Sequence, residues 1–274
     1  MKNSNLYDIY IVGIGIKWKQ HITFEVDEIL GKCNEIFYIE KSPTIRDYFL
    51  EKTSLVTDLT ELYEENADRE ETYNQMAMKV ISAATEHQPV ALALYGHPTV
   101  FAYPPFLIKE MASHLDLSVK FLPGISAMDT LFCDLAIDPS VNGLQLLEAT
   151  DLLLRRRSLD PTKATLIWQI GSLGTSLFST AESLPERFKP IQKYLTEYFP
   201  PDHPVFSVFT SPHPGLRSQI YEFKLEEMID FAPVLHSAVT IYIPPASIIF
   251  DFDQDVVKNL HNSDELHKVT ASKE

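Results

Sequence analysis

The stretch LYDIYIVGIG, Leu6–Gly15, is a short run of aromatic, β-branched and aliphatic residues that leads directly into two glycines. A run of this length bounded by glycine predicts a buried strand, Leu6–Val12, followed by a tight turn at Gly13-Ile14-Gly15. Glycine adopts positive φ and lets other groups approach the backbone, because it has no Cβ. The turn is therefore a candidate ligand contact at the end of the first strand.

The glycine turn does not match a nicotinamide-binding motif. Trp18 stands where the pattern GxGxxG requires its third glycine. No acidic residue stands out at the end of the second predicted strand in a clean Rossmann frame either. The turn supports the close approach of some ligand, but a dinucleotide site is disfavoured.

Beyond this turn, the first half of the chain alternates strands and helices. The clearest helix is Arg69–Ala84, where apolar residues recur every three or four positions. Such alternation favours a mainly parallel sheet in an α/β fold. The other predicted elements are helix Phe24–Leu30, strand Glu35–Ile39, strand Ser54–Asp58, strand Val90–Tyr95, helix Pro104–Ser113 and strand Ser118–Leu122.

The second half, after the turn at Pro123-Gly124, follows a different order. Its last three predicted strands are close together with little helix between them, which indicates a mixed or antiparallel sheet. We therefore predict two α/β domains, residues 1–122 and 123–246, and a largely flexible polar tail, residues 247–274. The predicted elements are helix Ser126–Ala136, strand Ala164–Ile170, helix Glu186–Phe199 and strands Val205–Phe209, Ile220–Leu225 and Ala238–Ile243.

Composition argues against several classes of function. The 274 residues include 23 lysines and arginines against 38 aspartates and glutamates, a formal charge of −15. This balance repels nucleic acid, and the one basic run, Arg155–Arg157, is more typical of a solvated surface. Cys33 and Cys133 are too few and too far apart for a disulfide framework, and no metal-ligand spacing occurs.

The N-terminus and the apolar stretches predict no signal peptide and no membrane span. The longest apolar stretch, Pro89–Ile108, contains a histidine and several prolines, which a spanning helix does not favour. We therefore expect a cytoplasmic protein that contacts neither membrane nor nucleic acid.

The segment PGISA, Pro123–Ala127, is superficially similar to a nucleophile elbow. The pattern GxSxG needs glycine at Met128, so a hydrolase is disfavoured. Ser126 is more simply the N-cap of a helix, with Asp129 completing a capping box. In a third interpretation, the backbone amides at the N-terminus of the helix bind polar groups of a ligand.

His97 lies in a loop predicted to follow a strand, at the edge of the sheet that faces ligands. A single histidine in such a loop is structural about as often as it is functional.

Arg69 and Tyr73 are four residues apart and therefore share one face at the start of the predicted helix. One interpretation is simple packing, with an exposed arginine covering an aromatic ring. The other places a guanidinium beside a phenol, which lowers the pKa of the phenol and stabilises an anion. The spacing alone leaves both open.

Short motifs occur in order across nearly the whole chain. They are RxxTYxQM at Arg69, YGHPTVF at Tyr95, LPGISAMDTLFCDLAIDP at Leu122, IWQIG at Ile167 and TIYIPP at Thr240, after the initial strand and glycine turn. Together they resemble the tetrapyrrole methylases, which use S-adenosylmethionine (SAM), and most closely the borosin peptide backbone α-N-methyltransferases. The resemblance implies two α/β domains with SAM in the cleft between them, and no metal.

The resemblance also implies roles for individual residues. Arg69, Tyr73 and Tyr63 match the catalytic set of that family: Tyr73 would take the amide proton, while Arg69 and Tyr63 would donate to the carbonyl oxygen. Glu70 and Glu71 could raise the pKa of Tyr73, so its role as the sole base stays open. The residues implied to contact SAM are Gly13, Gly15, Tyr95, His97, Val100, Phe101, Ser126, Ala127, Gln169 and Thr240.

The substrate follows from the same resemblance. Fused family members carry their substrate peptide on a long extension, whereas His261–Glu274 contains no apolar stretch of that kind. We therefore expect a stand-alone, split-type enzyme with a separate precursor peptide, acting as a homodimer or, with two precursors, a heterotetramer. The alternatives are methylation of a tetrapyrrole or another small molecule, and a non-catalytic SAM-binding module. RNA methylation is disfavoured by the acidic balance.

Overall fold

The computed structural model describes residues 6–40, 42–246 and 252–270. Two five-stranded sheets follow one another along the chain, and each is covered by helices. This arrangement confirms the predicted fold class of two α/β domains.

The first sheet begins with the strand predicted at the start of the chain. Its strands are β1 (Ile9–Gly13), β2 (Glu35–Ile39), β3 (Leu55–Asp58), β4 (Val90–Leu94) and β5 (Val119–Leu122). The order is β3-β2-β4-β1-β5, and every pair is parallel, as predicted. The helices are α1 (Phe24–Leu30), α2 (Pro43–Leu50), α3 (Arg69–His87) and α4 (Pro104–Ser113), with 3-10 turns at Trp18–His21 and Thr60–Leu62.

Helices cover both faces of this sheet. One core contains residues of α3 and α4, and the other contains residues of α1 and α2. β1 and β4 are consequently buried along their whole lengths, which explains their continuous apolar sequences.

The second sheet is mixed, as predicted. Its strands are β6 (Leu144–Glu148), β7 (Ala164–Trp168), β8 (Pro204–Phe209), β9 (Gln219–Lys224) and β10 (Thr240–Ile243). In the order β6-β7-β10-β8-β9, only β6 and β7 are parallel, and the other pairs are antiparallel. The helices are α5 (Ala127–Leu135), α6 (Ala149–Leu154) and α7 (Lys189–Leu195), with 3-10 turns at Ile170–Ser172, Pro185–Arg187 and Leu225–Val234.

Two predictions for the second half are wrong in detail. The helix predicted over Glu186–Phe199 is divided into a 3-10 turn and α7, because Pro190 has no N–H to continue a helix through that point. The strand predicted to reach Ile170 ends at Trp168, since Gln169 adopts a left-handed conformation with φ of 56°.

Two elements of the second half, β6 and α6, have no counterpart among the predicted elements. The edge strand β6, with the sequence LQLLE, is half-exposed and lacks a clear apolar pattern.

The C-terminal region contains two short exposed helices, α8 (Gln254–Asn259) and α9 (Ser263–Val269), within the tail predicted to be flexible. Residues 247–251 and 271–274 of that tail lie outside the described residues. Among the helices of the described part of the chain, none is long and apolar enough to cross a membrane.

Candidate functional site

The N-terminus of α3 carries the arginine and tyrosine that the sequence pairs. Asp68 caps this helix, because its carboxylate accepts the amide of Glu70 at 2.7 Å. Arg69 and Tyr73 follow on the first two turns, both half-buried, next to Tyr63 from the preceding loop. The structure therefore brings the three predicted catalytic residues together.

The guanidinium of Arg69 binds the backbone of the second domain. Its guanidinium donates from Nε to the carbonyl of Ser176 at 3.1 Å and from Nη2 to the carbonyl of Thr175 at 2.6 Å. These bonds use two of the five N–H donors of a guanidinium. Arg69 thus joins the first domain to a loop of the second.

Tyr63 and Tyr73 meet edge to face, with ring centroids 6.3 Å apart. Burial is the main cause that raises the pKa of Tyr63, the neighbouring Tyr73 adds to the rise, and the charge of Arg69 opposes it. A phenol is protonated at neutral pH even without this shift, so Tyr63 can donate a hydrogen bond.

Two further aromatic residues, which the sequence did not single out, extend this pair into a row. Phe178 stacks on Tyr63 with centroids 4.7 Å apart, and Tyr103 lies 6.0 Å from Tyr73. Phe178 comes from the second domain, so its position depends on tertiary packing that no local pattern reveals. Tyr103 precedes α4 in the segment after YGHPTVF, and its proximity to that motif was the available signal.

A segment of the second domain, residues 175–180, crosses over the start of α3; we call it the crossing segment. Its backbone pairs with that of the loop before α3, through Phe178 N to Ala67 O and Asn66 N to Phe178 O, both 2.8 Å. The carboxylate of Glu65 accepts hydrogen bonds from the hydroxyl of Ser179 and from the amide of Thr180, the latter at 3.0 Å. The crossing segment is therefore held by the first domain along most of its length.

Two cavities lie on either side of this crossing. The first cavity has a volume of about 460 Å³. Its lining includes Tyr63, the crossing segment, Arg187 and His236. The second cavity has a volume of about 520 Å³, and its lining includes Phe101 and Tyr103. Four residues line both cavities: Arg69, Tyr73, Gln169 and Thr175.

Phe101 and Gln169, two of the predicted cofactor contacts, face each other across the domain boundary. Both adopt left-handed backbone conformations, with φ of 51° and 56°, which are uncommon for such residues and cluster at functional sites. The amide of Gln169 donates to the carbonyl of Phe101 at 3.4 Å. The ring of Phe101 stacks on Trp168 with centroids 5.2 Å apart.

Three more of the predicted contacts lie behind this stack. Val100 and Ala127 pack in the apolar cluster that contains Trp168 and Tyr242. Thr240 is buried and lies two positions before Tyr242 on β10, so both face the same side of the sheet. The indole nitrogen of Trp168 is buried, and no hydrogen-bond partner for it lies within the part of the chain that the structure describes.

Ser126 is the N-cap of α5, as the capping-box interpretation predicts. Its hydroxyl accepts the amide of Asp129 at 3.2 Å, and the carboxylate of Asp129 accepts the amide of Ser126 at 2.7 Å. The reciprocal bonds leave the nucleophile-elbow interpretation without support.

The predicted glycine turn packs against other backbone. A Cβ on Gly13 would lie 2.6 Å from the carbonyl oxygen of Gly96 and 2.7 Å from the amide of Gly124. Gly15 and Gly96 exchange two backbone hydrogen bonds of 3.1 and 3.0 Å, and both have positive φ. The glycines thus allow the turns after β1, β4 and β5 to pack against one another. The glycine pattern in the sequence does not distinguish this packing role from contact with a ligand.

Tyr95 and His97 lie on either side of this glycine junction. Burial, and then the carboxylate of Glu40, raise the pKa of the Tyr95 phenol, although 38% of the residue is exposed. His97 directs Nδ1 toward Thr99, 3.2 Å from its amide and 3.1 Å from its hydroxyl. Direct contact of both residues with a ligand stays a prediction.

The second cavity combines features that suit a cationic ligand with a flat ring. Glu70 and Glu148 contribute two carboxylates against the one guanidinium of Arg69, and Phe101 and Tyr103 contribute aromatic faces. Among the described residues, no group of histidine, cysteine, aspartate and glutamate side chains could hold a metal ion.

Comparisons with known proteins agree with this architecture. The family of Tetrapyrrole (Corrin/Porphyrin) Methylases matches residues 8–227. The crystal structure of the methyltransferase CobJ superposes with a TM-score of 0.60 at 17% identity, over 87% of this chain and 94% of that one.

Fungal relatives are more similar in sequence. A methyltransferase/ribosomally synthesised type II borosin cyclic peptide precursor of Phlebiopsis gigantea is 32% identical over 268 residues, 96% of this chain and 47% of the relative. A type I borosin precursor of the same description from Cerrena unicolor is 30% identical over 96% of this chain and 64% of its own length. The chain thus spans about half of the first relative and less than two thirds of the second. Because the family match covers most of the chain and the two-sheet fold agrees with it, the protein belongs to the tetrapyrrole methylase family.

Proposed function

We propose that the chain is a SAM-dependent methyltransferase that methylates backbone amide nitrogens of a peptide. The observation that carries this proposal is the position of Arg69 and Tyr73, which line both cavities at once. A transfer between two ligands needs such a shared wall, because the reacting atoms must be held within about 3–3.5 Å of each other.

The second cavity fits the cofactor. SAM has a sulfonium and an ammonium group as well as a carboxylate, and this cavity offers two carboxylates and a guanidinium. Its volume is within the range of about 300–1,000 Å³ that is usual for small-molecule sites. Phe101 and Gln169 would hold the ligand there, and Val100, Ala127, Ser126 and Thr240 would support it from behind. When bound, the cofactor supplies the methyl group as an electrophile.

The first cavity is proposed to take the peptide. A backbone amide nitrogen is a poor nucleophile, since its lone pair is delocalised into the carbonyl. We propose that Tyr73, as its phenolate, accepts the N–H proton and becomes the neutral phenol, while the protonated phenol of Tyr63 and the guanidinium of Arg69 donate to the carbonyl oxygen. Negative charge on that oxygen is then stabilised in a half-buried site, as in an oxyanion hole.

The assembly is part of the proposal. We propose that the peptide arrives as a separate precursor chain, that two copies of the enzyme form a homodimer, and that two precursors complete a heterotetramer in the cytoplasm. We also propose that the domains divide at residue 122. The fungal relatives support a peptide substrate, because their names combine a methyltransferase with a precursor peptide.

The proposal is tested by co-expressing the chain with short open reading frames from its genomic neighbourhood and measuring peptide masses. We expect mass increments of one or more methyl groups on one peptide, absent with Tyr73→Phe. SAM binding without any conversion to S-adenosylhomocysteine would instead indicate a non-catalytic module. Conversion with a tetrapyrrole, and none with peptides, would indicate a small-molecule enzyme.

A further inference from the structure

The wall of the first cavity around Arg187 and His236 has a composition that the proposed reaction does not use. It is rich in hydroxyl groups and contains the guanidinium of Arg187 and the imidazole of His236. The hydroxyl-bearing residues are Ser172, Ser179, Thr180, Ser183 and Ser237.

Arg187 is half-buried and held in place by neutral groups. Its Nη1 donates to the carbonyl of Gly171 and, at 3.0 Å, to the hydroxyl of Ser183. Within the described residues, neither Arg187 nor Arg69 forms an ion pair with an acidic side chain. Arg187 therefore presents an uncompensated positive charge on a fixed scaffold.

The first cavity is positive in a protein that is strongly negative. Two arginines face a single exposed acid, Glu182, so the cavity has a formal charge of +1 against −15 for the chain. A guanidinium in a partly enclosed site is the preferred partner of a carboxylate, which it binds with two parallel hydrogen bonds.

His236 adds a donor to the same wall. Burial lowers the pKa of His236, so the ring is neutral at pH 7. Its Nδ1 accepts the amide of Ala238 at 3.3 Å, which places the proton on Nε2. The wall thus offers N–H and O–H donors but only one carboxylate.

From this composition we propose that the first cavity contains a carboxylate subsite, centred on Arg187, for an aspartate or glutamate of the substrate peptide. The inference rests on the proposed peptide methylation, because it assigns this cavity to the peptide. The acidic residue lies on the Arg187 side of the methylated amide, away from the cofactor. It therefore fixes the direction in which the peptide enters.

The test selects short random peptides, displayed on their own messenger RNA, for binding to the immobilised full chain with S-adenosylhomocysteine present. We expect Asp or Glu to be enriched at one position. A synthetic peptide from that pool should bind the wild-type chain about tenfold more tightly than its Asn or Gln counterpart, a difference of about 1.4 kcal/mol.

Two variants complete the test. Arg187→Gln should remove the difference in binding affinity between the acidic peptide and its amide counterpart. Arg217→Gln, an exposed arginine that lines neither cavity, should keep it. Equal affinities of the acidic and amide peptides for the wild-type chain overturn the subsite, and this comparison needs no variant. If the selected acidic peptides bind but gain no methyl group, the result contradicts the proposed function and leaves the carboxylate subsite supported.

Discussion

The two cavities beside Arg69 and Tyr73 are similar in volume and opposite in charge. The first has two arginines and one glutamate, whereas the second has one arginine and two glutamates. One turn of helix therefore separates a site suited to an acidic ligand from a site suited to a cationic one. The start of α3 is therefore a wall that the two cavities share. The residues opposite that wall determine the charge of each cavity and hence which ligand it can bind.

The two facing walls are also built differently. Phe101 lines the second cavity but not the first, and its left-handed backbone and the hydrogen bond from Gln169, which lines both cavities, fix it at the domain boundary. The first is bordered by the crossing segment, which is held by Arg69 and Glu65 through side-chain contacts with its backbone and hydroxyl groups. We expect the second cavity to be the more rigid of the two.

A large effect is expected for Arg69→Ala, because Arg69 lines both cavities. Loss of an oxyanion donor lowers kcat by about 10²–10³-fold. Loss of the bonds to Thr175 and Ser176 also loosens the crossing segment. Methylation is measured by peptide mass, with Arg217→Ala as the matched control, and activity of Arg69→Ala near that of the control contradicts the assignment.

Tyr73→Phe and Tyr63→Phe distinguish the base from the donor. Removal of a general base costs about 10²–10⁴-fold in kcat, whereas removal of one of the two oxyanion donors costs about 10²–10³-fold. Single-turnover rates of both variants are compared with wild type at one pH. A larger loss for Tyr63→Phe than for Tyr73→Phe reverses the two roles.

Filling one cavity at a time separates the two ligands. Thr150→Phe places a ring in the second cavity and should weaken SAM binding by at least about tenfold, since the added volume overlaps the ligand. Ser237→Phe fills the first cavity and should leave SAM binding unchanged while it weakens peptide binding. Calorimetric titration with SAM measures the SAM affinity of each variant. Equal losses of SAM affinity in both variants mean that SAM and the peptide do not bind in separate cavities.

The smallest effect is expected for Glu65→Gln. Hydrogen bonds from Ser179 and Thr180 lower the pKa of Glu65, so its carboxylate stabilises the crossing segment at neutral pH. That contribution is complete above the ordinary glutamate pKa of about 4.3 and is lost as pH falls through the lowered value. We expect a few-fold rise in KM for the peptide and a slightly smaller fall in Tm on acidification than in wild type. An unchanged KM shows that the segment is held without this residue.

Much of the fold follows from local sequence patterns. β1 and β4 are buried on both faces and therefore have continuous apolar sequences, and α3 has one apolar face, so all three were predicted within a few residues. The half-exposed edge strand β6 was missed because it has no clear apolar pattern, and the helix predicted over Glu186–Phe199 was wrong because the break caused by Pro190 was overlooked.

The site shows a division between local and tertiary information. The spacing of Arg69 and Tyr73 predicts their shared face, but the hydrogen bonds of Arg69 to the carbonyls of residues 175 and 176 come from a loop 106 and 107 positions away. Phe178 reaches Tyr63 through the same loop. Contacts of this kind depend on how the two domains pack, which no sequence period encodes.

The most direct test is tandem mass spectrometry of a peptide incubated with the chain and SAM. If Arg69 and Tyr73 form the shared wall of a transfer site, each added methyl group will be found on a backbone nitrogen inside the peptide, and Tyr73→Phe will abolish it. Methyl groups on side chains, or methylation that persists unchanged in Tyr73→Phe, would contradict this assignment.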